Sequence, residues 1–526
     1  MSSTWHKRAV FYEVYVRSFQ DSDSDGVGDI PGVSKRLNYL NDLGIDAVWL
    51  TPFFKSPMLD HGYDIADYRV VDPLFGTMEN LNHLIKELKE NDIRILFDLV
   101  PNHTSDAHEW FQEALANPDR PGPRDRYIFS QGSSDGNPPN NWVSVFGGSA
   151  WTKYDDEYYL HLFAESQPDL NWRNKEVVSE FEEILAYWLK RGVDGFRIDV
   201  AHGMFKDLDL RDEPHVATRV AGTDYQGLDQ VRIFDLEEVH DIHKSFRTIV
   251  DKYENNPILL GEVYLHDTKR AARYGAPNQL NLVLAFGLTT CLWNVDQVFD
   301  IILDTHSSYA SEGATPAWVL DSHDVSRSAT RFGGGTDGRQ KSLAMTMMQL
   351  ALPGACVIYQ GQELALEDGQ LNSEERTDPI YAMSEGKLLG RDGCRVPMPW
   401  EGHVNGFGFT DGVPWLPQRF PDSTLDVATQ LENESSPLSI FRKALNFKNN
   451  NPVLSLGEFL EVKKYDGFLI LEWKYESLFF TSVTNMSDAK KFSTTGTPVL
   501  SSLGRIIIQI DGAVEVLSAE TVWIVT

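Results

Sequence analysis

Four apolar runs in the chain carry an acidic residue at or near their end: ILFDLVPNH (95–103), GFRIDV (195–200), ILLGEV (258–263) and WVLDSHD (318–324). A continuous apolar run reads as a buried parallel strand. In a barrel of such strands, polar residues at the carboxyl ends project into the mouth. Asp98, Asp199, Glu262 and Asp324 are therefore expected to converge on one pocket from four strands. Converging carboxylates suit cleavage of a glycosidic bond, one acting as acid and another attacking or activating water. Arg197 lies two residues before Asp199, on the same side of a strand, where a guanidinium would orient the aspartate and keep it ionised. An acid role for Glu262 needs a raised pKa, which the apolar run before it could supply by desolvation. A lone strand-end acid more often caps a helix or pairs with a base, so the argument rests on the set.

A second acidic motif is DSDSDGVGD (21–29). Asp21, Asp23, Asp25 and Asp29 alternate around glycines that permit tight turns, and hard oxygen ligands at this spacing suit Ca²⁺. It begins like an EF-hand loop, but position 12 is Gly32, and the motif follows a strand rather than a helix.

The elements that must position these residues are eight candidate strands: 10–16, 44–50, 94–100, 195–200, 257–263, 281–286, 317–322 and 356–361. Amphipathic helices fall between several of them, such as 32–44 and 77–91, the latter with apolar residues at 81, 84, 85 and 88. The alternation predicts an α/β protein, a closed (β/α)8 TIM barrel formed by residues 1–103 and 172–450. Residues 104–171, rich in Pro, Gly, Asn and Trp, are too long for a loop and predict a small inserted domain after strand 3. Residues 364–430 have a similar texture after strand 8 and are expected to form a lid-like insertion, and a helix over 438–450 closes the barrel. Beyond it the pattern alternates, with turns at Asp466-Gly467 and Asp511-Gly512, predicting a C-terminal antiparallel β-sandwich over 451–526.

DLVPNH (98–103), GFRIDVAH (195–202), GEV (261–263) and SHD (322–324) resemble, in order, the four signature regions of the α-amylase family of retaining glycoside hydrolases. QPDLNW (167–172), DHGYDIADY (60–68) and RDGCRVPMPW (391–400) are similar to its oligo-1,6-glucosidase and α-glucosidase branch. The resemblance implies Asp199 as nucleophile, Glu262 as acid/base and Asp324 as a third carboxylate on the sugar hydroxyls. It implies His103 and His323 as partners of the sugar, Tyr63 stacked on its face, and Asp60 with Arg395 closing the pocket behind it. Phe146 and Phe163 fall where the branch places aromatic walls. Asp98 would be structural, and His202 a neighbour of the leaving group or a packed histidine. In the acidic loop, the carbonyl of Val27 would join Asp21, Asp23, Asp25 and Asp29 on a structural calcium. Asn102 is read as structural.

The formal charge is −30 over 526 residues. Such a field repels nucleic acids and anionic membranes. Cys291, Cys356 and Cys394 are odd in number and far apart, which argues against a disulfide framework. The N-terminal stretch lacks the apolar core of a signal peptide, and no run reaches the ~18 apolar residues of a membrane span. A cytoplasmic monomer or homodimer without an organic cofactor is expected. The activity expected from the resemblance is a retaining, exo-acting α-glucosidase on short α-glucosides, with α-1,4 linkages favoured. The alternatives are an oligo-1,6-glucosidase, or a transglycosylating relative such as a sucrose isomerase, a trehalose synthase or a glucosyltransferase. A non-enzymatic barrel like the amino-acid transporter heavy chains would need a membrane span and a broken carboxylate set.

Overall fold

The computed structural model describes residues 4–117, 122–215, 227–420 and 424–526. Eight short apolar strands form its centre: β1 (Val10–Val14), β2 (Ala47–Leu50), β3 (Arg94–Leu99), β4 (Gly195–Ile198), β5 (Ile258–Gly261), β6 (Leu282–Ala285), β7 (Pro316–Val319) and β8 (Ala355–Tyr359). They pair in parallel in chain order and close through β8 on β1, so the sheet is a (β/α)8 barrel. All eight coincide with runs read from the sequence.

The period of two along each strand sorts side chains between two cores. Phe11, Trp49, Leu96, Leu260, Leu284, Val319 and Val357 point inward and fill the barrel. Their neighbours Tyr12, Val48, Phe97, Leu259, Val283, Trp318 and Ile358 point outward, into the core under the helices. On β3 and β4 the inward rows continue into charge, with Asp98 opposite Arg197 in register.

The helix expected over 77–91 spans Met78–Glu90, buries Leu81, Leu84, Ile85 and Leu88, and starts with a Thr77–Asn80 capping box. The helix expected over 32–44 is instead two, Ile30–Lys35 and Leu37–Leu43. The break falls at Arg36, whose guanidinium is tied to Gln20 Oε1 and the Gly408 carbonyl and lies 4.1 Å from the Trp400 ring. These tertiary contacts outweigh one intrahelical turn. The closing helix runs Pro437–Asn450.

Between β3 and β4 the chain forms a helix (Glu109–Ala116) and a three-stranded antiparallel sheet, Phe129–Gln131, Glu157–Leu160 and Trp151–Tyr154. Its apolar cluster of Trp142, Trp151, Leu160 and Leu162 also takes in Val200, Ile233 and Phe234 from the connection after β4. The insertion is thereby packed onto the mouth of the barrel. After β8 the described residues form only short helical turns before the closing helix.

The C-terminal strands form a five-stranded and a three-stranded antiparallel sheet. Phe468, Ile470, Val483, Val522 and Ile524 of the first share a core with Val514 and Val516 of the second, the arrangement of a sandwich. Asp466-Gly467 and Asp511-Gly512 sit at positive φ (49° and 82°, 51° and 72°), the backbone that two-residue hairpin turns require. All three cysteines are buried free thiols. Among the described residues, no helix is long and apolar enough to cross a membrane.

Candidate active site

The four acidic runs meet at the carboxyl end of the barrel, and Arg197 joins three of them. Its Nη1 donates to Asp98 at 2.9 and 3.2 Å and to Asp199 at 2.5 Å, and its Nη2 lies 3.0 Å from Glu262 Oε1. Arg197 is 1 % exposed, so these charges act through little water. The other Glu262 oxygen accepts from the Val200 N–H at 2.9 Å. Val200 holds φ at 41°, rare for a β-branched residue. That strained turn, directly after Asp199, aims the Val200 N–H at Glu262 and lets Ala201 N–H reach the Glu262 carbonyl.

A cavity of about 270 Å³ opens above this group. Asp199, Glu262 and Asp324 line it, with Asp60, Tyr63, His103, Phe146, Phe163 and His323. Tyr63 lies parallel to the His323 ring at 5.5 Å, and its hydroxyl reaches Asp98 Oδ2 (3.1 Å) and His323 Nε2 (2.8 Å). His323 is also bonded by Nδ1 to the buried Glu13, and its Nε2 lies 3.2 Å from Asp324 Oδ2. His103 is held by Gln167, which also donates to Asp60 Oδ2 at 3.1 Å. Phe146 and Phe163 meet edge to face at 5.5 Å. Asp98 lies beneath the cavity, bonded to Trp49, Tyr63 and Arg197. His202 reaches the cavity edge with its ring 4.7 Å from Phe234.

The two arginines of RDGCR take different places. Arg391 lines the cavity, donating to Asp60 Oδ1 at 2.9 Å, Asp324 Oδ1 at 3.2 Å and Asp378 at 2.8 Å. Arg395 sits behind it, wholly buried, bonded to the His323 carbonyl and to Asp324. The ion pair with Asp60 is made by Arg391, while Arg395, expected beside Asp60 at the closed end of the pocket, reaches Asp324 instead. Spacing could not separate them, because a 3-10 turn over Asp392–Arg395 decides which side chain faces the cavity. Gln167 and Glu13 were likewise not singled out by sequence. Gln167 at least lies inside a recognised motif, whereas Glu13 sits in an apolar strand with nothing to mark it.

Five carboxylates, Asp60, Asp98, Asp199, Glu262 and Asp324, share this region with three guanidinia, so the cluster favours keeping a proton. Burial raises Asp98 to about 6 against the pull of Arg197. Burial, with the charges of Glu262, Asp98 and Asp324, also raises Asp199, and Arg197 opposes it. Asp324 goes the other way: burial would raise it, but His323, Arg391, Arg395 and Arg197 together hold it below the usual carboxylate range. Burial lowers His103 and His202 to about 4, so both are neutral near pH 7. Glu262 keeps 16 % of its side-chain surface and a guanidinium partner, less desolvated than the apolar run before it suggests.

Asn102 belongs to a different arrangement. Its Oδ1 accepts from the buried Lys206 Nζ at 2.8 Å, and the ammonium is shared with Asp169 (2.5 Å) and the Gly203 carbonyl (2.6 Å). Lys206 is a built-in cation among oxygen ligands, one that sequence reasoning did not find.

In the acidic loop, Asp21, Asp23 and Asp29 each bring one oxygen within 4.8 Å of the others. Asp25 lies outside this group, its Oδ1 accepting from the Val27 N–H. Asp29 also caps the helix that follows through Gly32 N–H.

The chain matches the family description "Alpha amylase, catalytic domain" over residues 13–457. It is 38 % identical to a probable alpha-glucosidase of Rhizobium meliloti, over 86 % of this chain and 84 % of that one. It is 34 % identical to an oligo-1,6-glucosidase of Heyndrickxia coagulans, over 86 % and 87 % of the two chains. Among solved structures it superposes on an alpha-glucosyl transfer enzyme, XgtA, with a TM-score of 0.93 and 33 % identity over 99 % of each chain.

Proposed function

The chain belongs to the α-amylase family and is a glycoside hydrolase, and from that premise we propose that it is a retaining, exo-acting α-glucosidase. It releases glucose from the non-reducing end of short α-glucosides, with α-1,4 linkages favoured. The observation that carries this reading is the shared guanidinium: Asp199 and Glu262 both contact Arg197 at the floor of a cavity that the Asp60–Arg391 ion pair closes. Two carboxylates on one guanidinium fit the ~5–5.5 Å separation of retaining enzymes better than the ~6.5–9.5 Å that inversion needs for its water. A cavity of about 270 Å³ holds a sugar ring and part of its leaving group rather than a length of polymer.

In the first step, protonated Glu262 gives its proton to the glycosidic oxygen while Asp199 attacks the anomeric carbon from the opposite face. To deliver it, Glu262 must release one of the two donors that hold it in the substrate-free state. Arg197 keeps Asp199 aimed throughout. Asp324, His323, Arg391 and Asp60 hold the sugar hydroxyls, and Tyr63 offers its ring. In the second step Glu262 removes a proton from water, which attacks the same carbon and breaks the ester to Asp199. An acceptor alcohol in place of water would give transfer, the activity named for XgtA.

Asp21, Asp23 and Asp29 have the hard oxygen chemistry and the grouping that a Ca²⁺ ion needs, and would hold it as a structural ion clamping the β1 loop. Asp25 lies outside that grouping of oxygens.

The test is product stereochemistry. Proton NMR of a fresh digest of methyl α-glucoside should show α-glucose as the first anomer released, with β-glucose appearing only at the rate of mutarotation. Initial release of β-glucose would refute the two-displacement reading.

A further inference from the structure

Glu13 takes no part in the two displacements, yet it is a carboxylate buried inside the barrel. Phe11 points inward from β1, and the period of two turns Glu13 the same way. Its Oε1 accepts from His323 Nδ1, and its Oε2 has no hydrogen-bond partner among the described residues. A buried carboxylate needs a charged partner, and the group in contact with this one is the His323 imidazole.

The far side of the same ring also faces oxygens. His323 Nε2 lies 3.2 Å from Asp324 Oδ2 and 2.8 Å from the Tyr63 hydroxyl, which itself reaches Asp98 Oδ2 at 3.1 Å. The Tyr63 hydroxyl has one proton to give. Given to Asp98, it leaves an oxygen lone pair that Nε2 can meet only as an N–H. A neutral imidazole has a single N–H, so it cannot donate to Glu13 and also to Tyr63 and Asp324. The ring is fixed in place: Tyr15 stacks on it at 5.7 Å, Trp49 meets it edge-on at 6.0 Å, and Arg395 Nε holds the His323 carbonyl at 2.8 Å. The oxygens of Asp324 are thereby divided, Oδ1 to Arg391 and Arg395, Oδ2 to His323. Burial would raise Asp324, and the charge of His323 is the strongest of those that hold it down.

We propose that Glu13 is a positioning residue that keeps His323 doubly protonated, so that the ring offers a cationic N–H at the cavity and a fixed partner to Asp324. The inference rests on the glucosidase reading and adds to it a group set behind the ring that meets the sugar. The hydrogen-bonded chain continues from Tyr63 through Asp98 and Arg197 to Asp199. The second proton on His323 therefore also decides which way Tyr63 donates. Without it the Tyr63 proton turns from Asp98 to Nε2, and the support beneath the nucleophile changes with it.

The experiment is Glu13→Gln in the full-length protein, which keeps an oxygen for the Nδ1 proton and removes the charge. kcat/KM on methyl α-glucoside is measured from about pH 6 to pH 8.5 for both proteins. The wild type should exceed the variant by about 2- to 30-fold at pH 7, the difference between a charge-assisted and a neutral bond. That ratio should widen as pH rises, because the variant loses the second proton of His323 in this range and the wild type keeps it. Protonation of Asp98 acts on both proteins and cancels in the ratio. Downfield proton NMR of the wild type gives a readout that does not depend on the variant folding: two ring N–H protons of His323 at pH 7, assigned by their loss in His323→Gln. A single ring N–H proton, or a ratio that stays the same across the pH range, would overturn the inference while leaving the glucosidase reading intact. Failure of the wild type to hydrolyse both methyl α-glucoside and maltose would instead sink that reading, and this one with it.

Discussion

Replacing Arg391 by Gln tests both the closed end of the cavity and the charge balance around it. Arg391 makes charge-assisted bonds to two cavity carboxylates, Asp60 at 2.9 Å and Asp324 at 3.2 Å. Each is worth about 1.5–3 kcal/mol, and glutamine recovers at most one neutral bond of about 1 kcal/mol. The expected loss in kcat/KM on maltose is on the order of 10²–10³-fold. The same guanidinium also holds Asp378, which is 1 % exposed. Burial would raise Asp378, but Arg391 outweighs it and holds the carboxyl below the usual range. A depressed carboxylate stabilises the fold above its unfolded pKa of about 3.9, and that contribution is lost as pH falls through the folded value. Without Arg391 the buried charge is unpaired at neutral pH, a cost of about 3–5 kcal/mol. The variant should therefore melt several degrees below wild type at pH 7, and the gap should narrow as the pH approaches 4, where Asp378 can protonate in the variant. Calorimetry at pH 7, 5.5 and 4 reads this directly. A kcat/KM within threefold of wild type, or a melting gap independent of pH, would refute the role assigned to Arg391.

Asp199→Asn should lower kcat about 10⁴-fold or more with an unchanged circular dichroism spectrum, since the covalent step loses its nucleophile; ordinary turnover by that variant would disprove the assignment. Activity should fall as pH drops below about 6, where Asp98 takes up a proton beside Arg197. A folded pKa raised above the unfolded one stabilises at low pH and loses that contribution as pH rises through about 6, so protonation of Asp98 should inactivate the enzyme in acid before anything unfolds. Full activity at pH 4.5 would contradict the shifts. Lys206→Met should destabilise the fold by about 3–5 kcal/mol, because Asp169 is left buried without its cation; denaturant melts measure it, and an unaltered midpoint would show the pair to be dispensable. EDTA should lower the melting temperature if Asp21, Asp23 and Asp29 bind Ca²⁺ in the native state alone, and added Ca²⁺ should restore it; identical curves with and without chelator would exclude the ion.

The sequence alone determined the barrel and its chemistry. Eight apolar runs, each long enough for one strand, can be satisfied only where both faces are covered, and a period of two then puts Arg197 on the same side as Asp199. Local pattern also carried the Met78–Glu90 helix and the Asp-Gly hairpins, since capping and left-handed turns depend on a few adjacent residues. Only the tertiary structure decided matters between distant segments. The choice of Arg391 over Arg395 depends on how one short turn packs against Asp60, more than three hundred residues earlier. The break at Arg36 depends on Gln20, Trp400 and Gly408. Lys206 reads as an ordinary surface lysine until Asn102 and Asp169 are folded around it. These are energies of burial and charge between groups far apart in the chain, and they have no local signature, because neighbouring residues contribute almost nothing to them.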